Sequence, residues 1–245
     1  LLSAAFETCD SSPSSAVRPH PPVPPTIYCY REGVQTVRMI PAEMPPPAAD
    51  PRKRAGDRAE SKIFELLRNL DRPGFVAANT RLHAHRKKRV AEADFIVVVE
   101  EGVFVIEVKA SERLRRDGND GRWRDGDDIK YESPWEQAEG AMYAVERHLE
   151  DKLIFKPLYG FGVALVGSEF PRDTKAIDVE ARTIMDRAQV VRGVDGMAEF
   201  LSDMIGYWIS RSEERNGKKP RRMTAENLEE LEARIVPAFD LRPSL

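Results

Sequence analysis

The chain has little cysteine, no long apolar run and no large excess of either charge. Its 245 residues include two cysteines, Cys9 and Cys29, and carry a formal net charge of −3. Because both cysteines lie near the start, we expect neither a disulfide framework nor a zinc site. No apolar run approaches the roughly 20 residues of a membrane span, and the first residues lack the basic start of a secretory signal. We therefore expect a cytoplasmic protein without a membrane segment.

Proline is unevenly distributed, and one common phosphate-binding motif is missing. Ten of the 18 prolines fall in residues 1–50, a composition typical of extended or disordered segments. We predict a folded core at residues 51–192 and a helical extension at residues 193–245. The sequence contains no Gly-x-x-x-x-Gly-Lys-Ser/Thr loop, so we expect no ATPase activity.

Two apolar segments contain three charged residues where a plain core strand would have valine. Asp94 opens the run at residues 95–99, and Glu107 and Lys109 close the run that begins at residue 103. Apart from these charges, both segments are apolar on both faces, which is the pattern of central strands covered by helices on each side. The segments therefore predict an α/β fold with a mixed central β-sheet flanked by helices.

The spacing of the charges predicts that they meet on one face of a β-hairpin. Successive strand residues point to opposite faces, so Glu107 and Lys109 share a face. If Glu101-Gly102 forms a two-residue turn, Asp94 lies opposite Lys109 and diagonal to Glu107.

Charges in an apolar strand are costly unless they are paired or bind a metal. Asp94 and Glu107 would repel each other, and Mg²⁺ relieves such repulsion because it prefers carboxylate oxygens and leaves positions for water and phosphate. Lys109 would then hold the attacking water or offset charge that develops on phosphorus. The alternative is a salt-bridged strand end that faces solvent.

The order of the motifs resembles the nuclease-related domain (NERD) family of the PD-(D/E)xK nucleases. The resemblance covers residues 52–170 and rests on five elements, which are Gly56-x-x-x-Glu60, the strand after Asp94, the strand Gly102–Lys109, Trp123, and Ser133-Pro134-Trp135-Glu136-Gln137. The chain departs from the family pattern at two positions, because Ala93 replaces the proline that names the superfamily and Ser133 replaces the usual asparagine.

The resemblance implies a restriction-endonuclease-like core and a nuclease that uses Mg²⁺, or Mn²⁺, to hydrolyse DNA. The residues it implies are Asp94, Glu107 and the Val108 carbonyl as metal ligands, Glu60 as a further ligand, Lys109 for the water, and Gln137 for the substrate. Some family members continue into a helicase, so a linked helicase is an expected partner. Two alternatives stay open, a non-catalytic DNA-binding module that positions such a helicase and a nuclease that acts on RNA.

Two predicted helices would bring Glu60 and Gln137 to this site. Apolar residues recur at helical spacing over residues 51–70, and Glu60 borders their stripe. The Ser133-x-x-Glu136 capping box predicts a second helix, whose first turn holds Gln137. Without the family, two alternatives stay open, in which Glu60 is an edge residue in a surface salt bridge and Gln137 is a solvated polar residue.

Basic residues are concentrated before the Asp94 strand. Residues 52–89 contain 12 Lys or Arg against 4 acidic residues, although the whole chain is slightly acidic. Such clusters can follow a phosphate backbone, or they can simply be solvated. The predicted nucleic-acid-binding residues are Arg86, Lys87, Lys88 and Arg89, with Arg122 and Trp123 in a second basic segment. Trp123 would either stack on a base or anchor that segment, which we expect to be a mobile loop.

The rest of the chain predicts further elements of the core and of the extension. Residues 161–166 read as a buried strand and residues 183–191 as a weaker one, and a helical seam includes Ala198. A last amphipathic helix is expected around Leu228 and Leu231.

Overall fold

A six-stranded mixed sheet forms the centre of the protein in the computed structural model, which describes residues 36–83, 90–118, 120–174 and 179–237. The described strands are β1 (Arg38–Ile40), β2 (Gly74–His83), β3 (Val90–Val99), β4 (Gly102–Lys109), β5 (Leu114–Arg116), β6 (Trp123–Asp125), β7 (Asp128–Lys130), β8 (Tyr159–Leu165) and β9 (Ile184–Met185). The described helices are α1 (Pro51–Arg68), α2 (Pro134–Glu150), α3 (Arg187–Val191), α4 (Val194–Asn216) and α5 (Ala225–Ile235).

The central sheet has the strand order β1-β2-β3-β4-β8-β9. Strands β2, β3 and β4 pair antiparallel, whereas β1 joins β2, β8 joins β4 and β9 joins β8 in parallel. Strands β5, β6 and β7 form a separate three-stranded antiparallel sheet, called the small sheet below. The predicted mixed sheet is confirmed.

Helices cover both faces of the central sheet, as the apolar runs predicted. Along β3, the side chains of Phe95, Val97 and Val99 join a buried cluster with α1 and α4. The alternate residues Ile96 and Val98 join a second cluster with α2 and α5. Strand β3 is therefore apolar on both faces from Phe95 to Val99, because both faces of this part contact helices.

The predicted register of the β3–β4 hairpin is wrong by two residues. Gly102 pairs with Val99, so the turn consists of Glu100 and Glu101. Gly102 is required in the strand itself, because a Cβ there would lie 2.4 Å from the carbonyl oxygen of Leu158. A shift of two residues preserves the face to which each side chain points, so the predicted shared face is unaffected.

Two predictions for the C-terminal part also need correction. Strand β9 is only two residues long, because Asp186 accepts a hydrogen bond from Gln189 N at 3.1 Å and starts α3 with a capping box. Ala198 is exposed, whereas the buried seam of α4 consists of Met197, Phe200, Leu201, Met204 and Ile205. The last amphipathic helix is confirmed as α5, with Leu228 and Leu231 buried.

Segments on both sides of the predicted core contact the central sheet. Strand β1 pairs with β2 although it precedes residue 51, and α4 packs on the sheet although it follows residue 192. None of the helices in the described part of the chain is both long enough and apolar enough to cross a membrane.

Candidate active site

The candidate site lies where two strands of the central sheet separate. The β3–β4 ladder ends at the pair Phe95 and Ile106. Beyond that pair β3 remains bonded to β2, whereas β4 remains bonded to β8. Asp94 and Glu107 are the next residues on either side of this gap. A backbone that leaves its partner strand exposes polar groups for other uses, and here they face a cleft.

A hydrogen bond across the gap fixes Asp94 against β4. The Val108 backbone N–H donates to Asp94 Oδ2 at 2.7 Å. Because the N–H and C=O of one strand residue point to the same side, the Val108 carbonyl also faces this gap. The arrangement is consistent with the predicted use of that carbonyl.

Glu107 and Lys109 share a face, as strand alternation predicted. The Lys109 ammonium donates a hydrogen bond to Glu107 Oε1. The Glu107 side chain is 9% exposed and that of Lys109 is 28% exposed, so the pair lies at the inner end of the cleft rather than in open solvent.

Helix α1 brings Glu60 to the same cleft. Phe64 and Leu67 are buried against the sheet, Glu60 is half-buried beside them, and Glu65 is exposed on the far side. The Asn79 side chain lies beside Glu60 and partly opposes the rise in the pKa of that carboxyl. Asn79 has a φ of 50° and interrupts the β2–β3 ladder opposite Asp94, a left-handed conformation that asparagine tolerates better than most residues.

Helix α2 begins at the cleft, with the predicted capping box. The Ser133 hydroxyl accepts a hydrogen bond from Glu136 N at 3.0 Å, and Ser133 N donates to the Glu136 carboxylate at 2.7 Å. Pro134 occupies the first helical position, which suits its missing N–H. Gln137 is half-buried in the first turn and lines the cleft.

The cleft has a volume of about 630 Å³. It brings together all six residues predicted for catalysis and metal binding, which are Glu60, Asp94, Glu107, Val108, Lys109 and Gln137. These residues come from α1, β3, β4 and α2, so their meeting depends on the folded sheet and not on proximity in the sequence.

The carboxylates of the cleft hold their protons unusually tightly. Burial raises the pKa of Glu107 to about 7, and the charge of Asp94 adds to this effect although Lys109 opposes it. Burial also raises the pKa of Glu60 to about 7, with a further contribution from Asp94. The pKa of Asp94 is raised by burial as well, against the hydrogen bond from Val108. The charged forms of these carboxylates repel one another, which favours the protonated form of each.

The carboxylates do not form a ready-made metal cage. Across residues 36–83, 90–118, 120–174 and 179–237, no three histidine, cysteine, aspartate or glutamate side chains are grouped to hold one ion. Asp94 is turned towards the Val108 N–H and Glu107 towards Lys109. Binding of a cation would therefore require side-chain rotations at this cleft.

Comparison with known proteins identifies the segment that builds this cleft. A family model described as the nuclease-related domain matches residues 55–164, from α1 to β8. Residues 55–164 form a nuclease-related domain. No curated protein and no solved structure matches the chain. The mixed sheet flanked by helices agrees with the restriction-endonuclease-like core that the sequence resemblance implied.

The second basic segment, which contains Arg122 and Trp123, was predicted to be a mobile loop. In the structure this part of the nuclease-related domain forms the small sheet. The Trp123 ring lies 4.9 Å from the ring of Trp135, the second residue of α2, and Trp135 lies 6.4 Å from Phe170. Trp123 is half-buried in this cluster. The packing favours the anchoring role of Trp123 over base stacking.

The predicted nucleic-acid-binding residues occupy different positions relative to the described structure. Arg86, Lys87, Lys88 and Arg89 lie outside the described residues. Arg122 is exposed in the connection between β5 and β6 and does not contribute to the cleft lining. DNA contact by these residues therefore stays a prediction from the sequence.

Several cleft residues of the nuclease-related domain were not predicted from the sequence. Asn79 lies beside Glu60, the segment before β5 contributes Ser111 and Arg113 to the lining, and the small sheet contributes Asp125 and Lys130. An isolated asparagine inside a strand pattern is a signal that could have directed attention to Asn79. No local pattern indicates that the small sheet folds over the cleft.

Proposed function

We propose that the nuclease-related domain is a divalent-metal-dependent nuclease that hydrolyses phosphodiester bonds of DNA. The observation that carries the proposal is the meeting of three carboxylates with raised pKa values and one lysine in a single cleft. Titratable groups with strongly perturbed pKa values in a cleft are typical of functional sites. An ordinary surface salt bridge would not bury three mutually repelling acids.

The residues present suit a hard divalent cation such as Mg²⁺ or Mn²⁺. Carboxylate and carbonyl oxygens are the preferred ligands of these ions. Asp94, Glu107 and the Val108 carbonyl would hold the ion, with Glu60 as a further ligand, direct or through water. A bound cation would offset the repulsion among the carboxylates, polarise a phosphate oxygen and lower the pKa of a coordinated water.

The remaining side chains would orient the reactants. The Lys109 ammonium, released from Glu107 once that carboxylate binds the cation, would position the attacking water and offset charge on the phosphate. Gln137 lies in the first turn of α2, where its amide would bond a phosphate or the water.

A second function is favoured by one observation. Asp94 and Glu107 already have hydrogen-bond partners, and no three acids are grouped around a single point in the described part of the chain. Such a site suits a non-catalytic module that binds DNA for a linked helicase. An RNA substrate is a further alternative, because no described contact distinguishes the two sugars.

The proposal extends to the organisation of the chain. We assign the nuclease core to residues 51–192 together with β1, which pairs with β2, and residues 193–245 to a helical extension that would lead to a helicase. The low cysteine content supports a cytoplasmic location.

The test is to incubate the purified chain with labelled linear DNA, circular DNA and RNA. Each substrate is combined with Mg²⁺, Mn²⁺ or EDTA, and an Asp94→Asn variant is the control. The proposal predicts cleavage of DNA that needs the metal and the Asp94 carboxylate. DNA binding without cleavage under every metal condition would support the non-catalytic module instead, and cleavage restricted to RNA would correct the substrate.

A further inference from the structure

Three basic side chains line the cleft, and only Arg113 lacks an acidic partner within the described structure. Lys109 contacts Glu107, and Lys130 Nζ lies 3.6 Å from Asp125 Oδ2. Among residues 36–83, 90–118, 120–174 and 179–237, no carboxylate lies within ion-pair distance of the Arg113 guanidinium. An unpaired guanidinium beside several carboxylates is available for an anion from outside the protein.

The backbone of Arg113 is fixed from both sides. Its N–H donates to Ser111 Oγ at 3.0 Å, and its carbonyl accepts from Gly126 N at 3.1 Å. Ser111 is itself held, because its hydroxyl donates to Asp125 and its carbonyl accepts from Ser168 Oγ at 2.6 Å. These bonds tie the segment before β5 to the small sheet, so the Arg113 backbone has a defined position.

The Arg113 side chain lies flat against Gly126. A Cβ added to Gly126 would lie 2.8 Å from Cζ, 3.0 Å from Nη2 and 3.1 Å from Nη1 of Arg113. The three distances are nearly equal, so the guanidinium plane covers the glycine. Any side chain at position 126 would displace the guanidinium from this position.

A planar guanidinium whose N–H groups have no acceptor among the described residues suits a phosphate, because two parallel N–H donors match two phosphate oxygens. We propose that Arg113, seated on Gly126, binds a backbone phosphate of the nucleic acid and holds the strand across the carboxylate site. This inference rests on the proposed function of the same cleft, and it adds the small sheet as a wall of the nucleic-acid-binding surface.

Binding without cleavage tests the inference first. The affinity of the whole chain for labelled single-stranded and duplex DNA is measured by fluorescence anisotropy across a salt series, with Ca²⁺ in place of Mg²⁺. Arg113→Ala should weaken binding on the order of tenfold, because a hydrogen-bonded charge pair is lost. The slope of log affinity against log salt should fall by about 0.9 on duplex DNA and about 0.7 on single strands.

The matched control is Arg115→Ala. Arg115 is exposed on the same small sheet and lies 3.9 Å from Asp117, but it is not part of the cleft lining. Its removal should change affinity less than threefold. Equal losses in the two variants would show a general effect of charge and would overturn the specific role of Arg113. Thermal unfolding of each variant checks that the fold is retained.

Two glycine substitutions separate the position of Arg113 from its charge. Gly126 and Gly121 both have left-handed φ angles, +63° and +70°, but an added Cβ at Gly121 meets nothing within 4 Å. Both changes to alanine strain the backbone similarly, and only Gly126→Ala displaces the guanidinium. We expect Gly126→Ala to lower DNA affinity by nearly as much as Arg113→Ala does. When the two changes are combined, the loss should be little larger than that of Arg113→Ala alone. Similar DNA affinities for Gly126→Ala and Gly121→Ala would show that the packing of the guanidinium on Gly126 does not matter for binding.

Chemically modified DNA identifies the contact itself. Each duplex carries one uncharged methylphosphonate, and its position along the strand is varied. At one position this replacement should weaken binding by the parent but should not weaken binding by Arg113→Ala any further. Inorganic phosphate at matched ionic strength should compete weakly, because a free ion lacks the rest of the strand; full competition would assign Arg113 to free phosphate and overturn the proposal.

The results separate this inference from the nuclease proposal. If the parent binds DNA but never cleaves it, an Arg113-dependent salt slope still supports the phosphate contact while the nuclease proposal fails. If the parent cleaves DNA and Arg113→Ala binds and cleaves equally well, the phosphate contact is overturned and the nuclease proposal stands.

Discussion

Replacing Glu107 with glutamine should stabilise the metal-free protein at pH 8. Glu107 is 7% exposed, and its pKa rises from 4.5 to about 7 because it is buried beside Asp94, despite the opposing charge of Lys109. A carboxyl with a raised pKa in the folded state binds its proton more tightly there than in the unfolded chain. The contribution of protonated Glu107 to the free energy of unfolding is therefore fully present below about pH 4.5 and is lost as the pH rises through about 7.

The size of the effect follows from the shift. At about 1.4 kcal/mol per pKa unit, a rise from 4.5 to about 7 corresponds to a loss of about 3 kcal/mol once Glu107 is ionised. Glutamine keeps the shape and removes the charge, but it also loses the contact with the Lys109 ammonium. We therefore expect a net gain of about 1–3 kcal/mol in the free energy of unfolding at pH 8.

The measurement is urea unfolding of the parent and of Glu107→Gln from pH 5 to pH 8 in EDTA. The stability of the parent should fall across this range, and the advantage of the variant should grow. Glu139→Gln, at an exposed position of α2, is the control for the loss of one negative charge. Mg²⁺ at 100 times its dissociation constant should restore about 2.7 kcal/mol to the parent and little to the variant. A variant that is less stable at pH 8 would show that Glu107 forms a stabilising salt bridge, and the reasoning would be refuted.

Three further predictions concern the rest of the site. Lys109→Ala should abolish cleavage, because it removes the ammonium group that would position the attacking water. Metal binding should persist, because Lys109 is not a proposed metal ligand; undiminished cleavage would remove Lys109 from the mechanism. Replacement of Arg86, Lys87 and Lys88 by alanine should flatten the salt dependence of duplex binding by about two to three units at unchanged metal affinity; an unchanged slope would indicate a solvated segment. Gly56→Ala should raise the free energy of unfolding by about 1 kcal/mol, because alanine favours a helix more than glycine does and the added Cβ meets nothing within 4 Å. A loss of stability would contradict the placement of Gly56 inside α1.

The face-sharing of the charged residues was predictable because it depends on local geometry alone. Strand alternation places Glu107 and Lys109 on one side whatever the neighbouring strand does, and an error of two residues in the hairpin register does not alter this. The start of α2 was equally predictable, because Ser133, Pro134 and Glu136 determine it through contacts within four residues.

Contacts between distant segments were not predictable in the same way. The register of β4 depends on the close approach of Leu158 to Gly102, and the two are far apart in the sequence. The unpaired guanidinium of Arg113 depends on the small sheet folding over the cleft. For residues 183–191, β-branched composition favoured a strand, but the Asp186 capping box started a helix.

The central claim is that the carboxylates at the fork between β3 and β4 bind a divalent cation for phosphodiester hydrolysis. The most direct measurement is the initial rate of DNA cleavage as a function of Mg²⁺ concentration, for the parent and for Asp94→Asn. Both proteins are measured at a temperature at which they are fully folded. We predict saturable activation of the parent, no cleavage in EDTA and no activation of the variant at any concentration tested. Cleavage that persists in EDTA, or a variant that is activated like the parent, would contradict the claim.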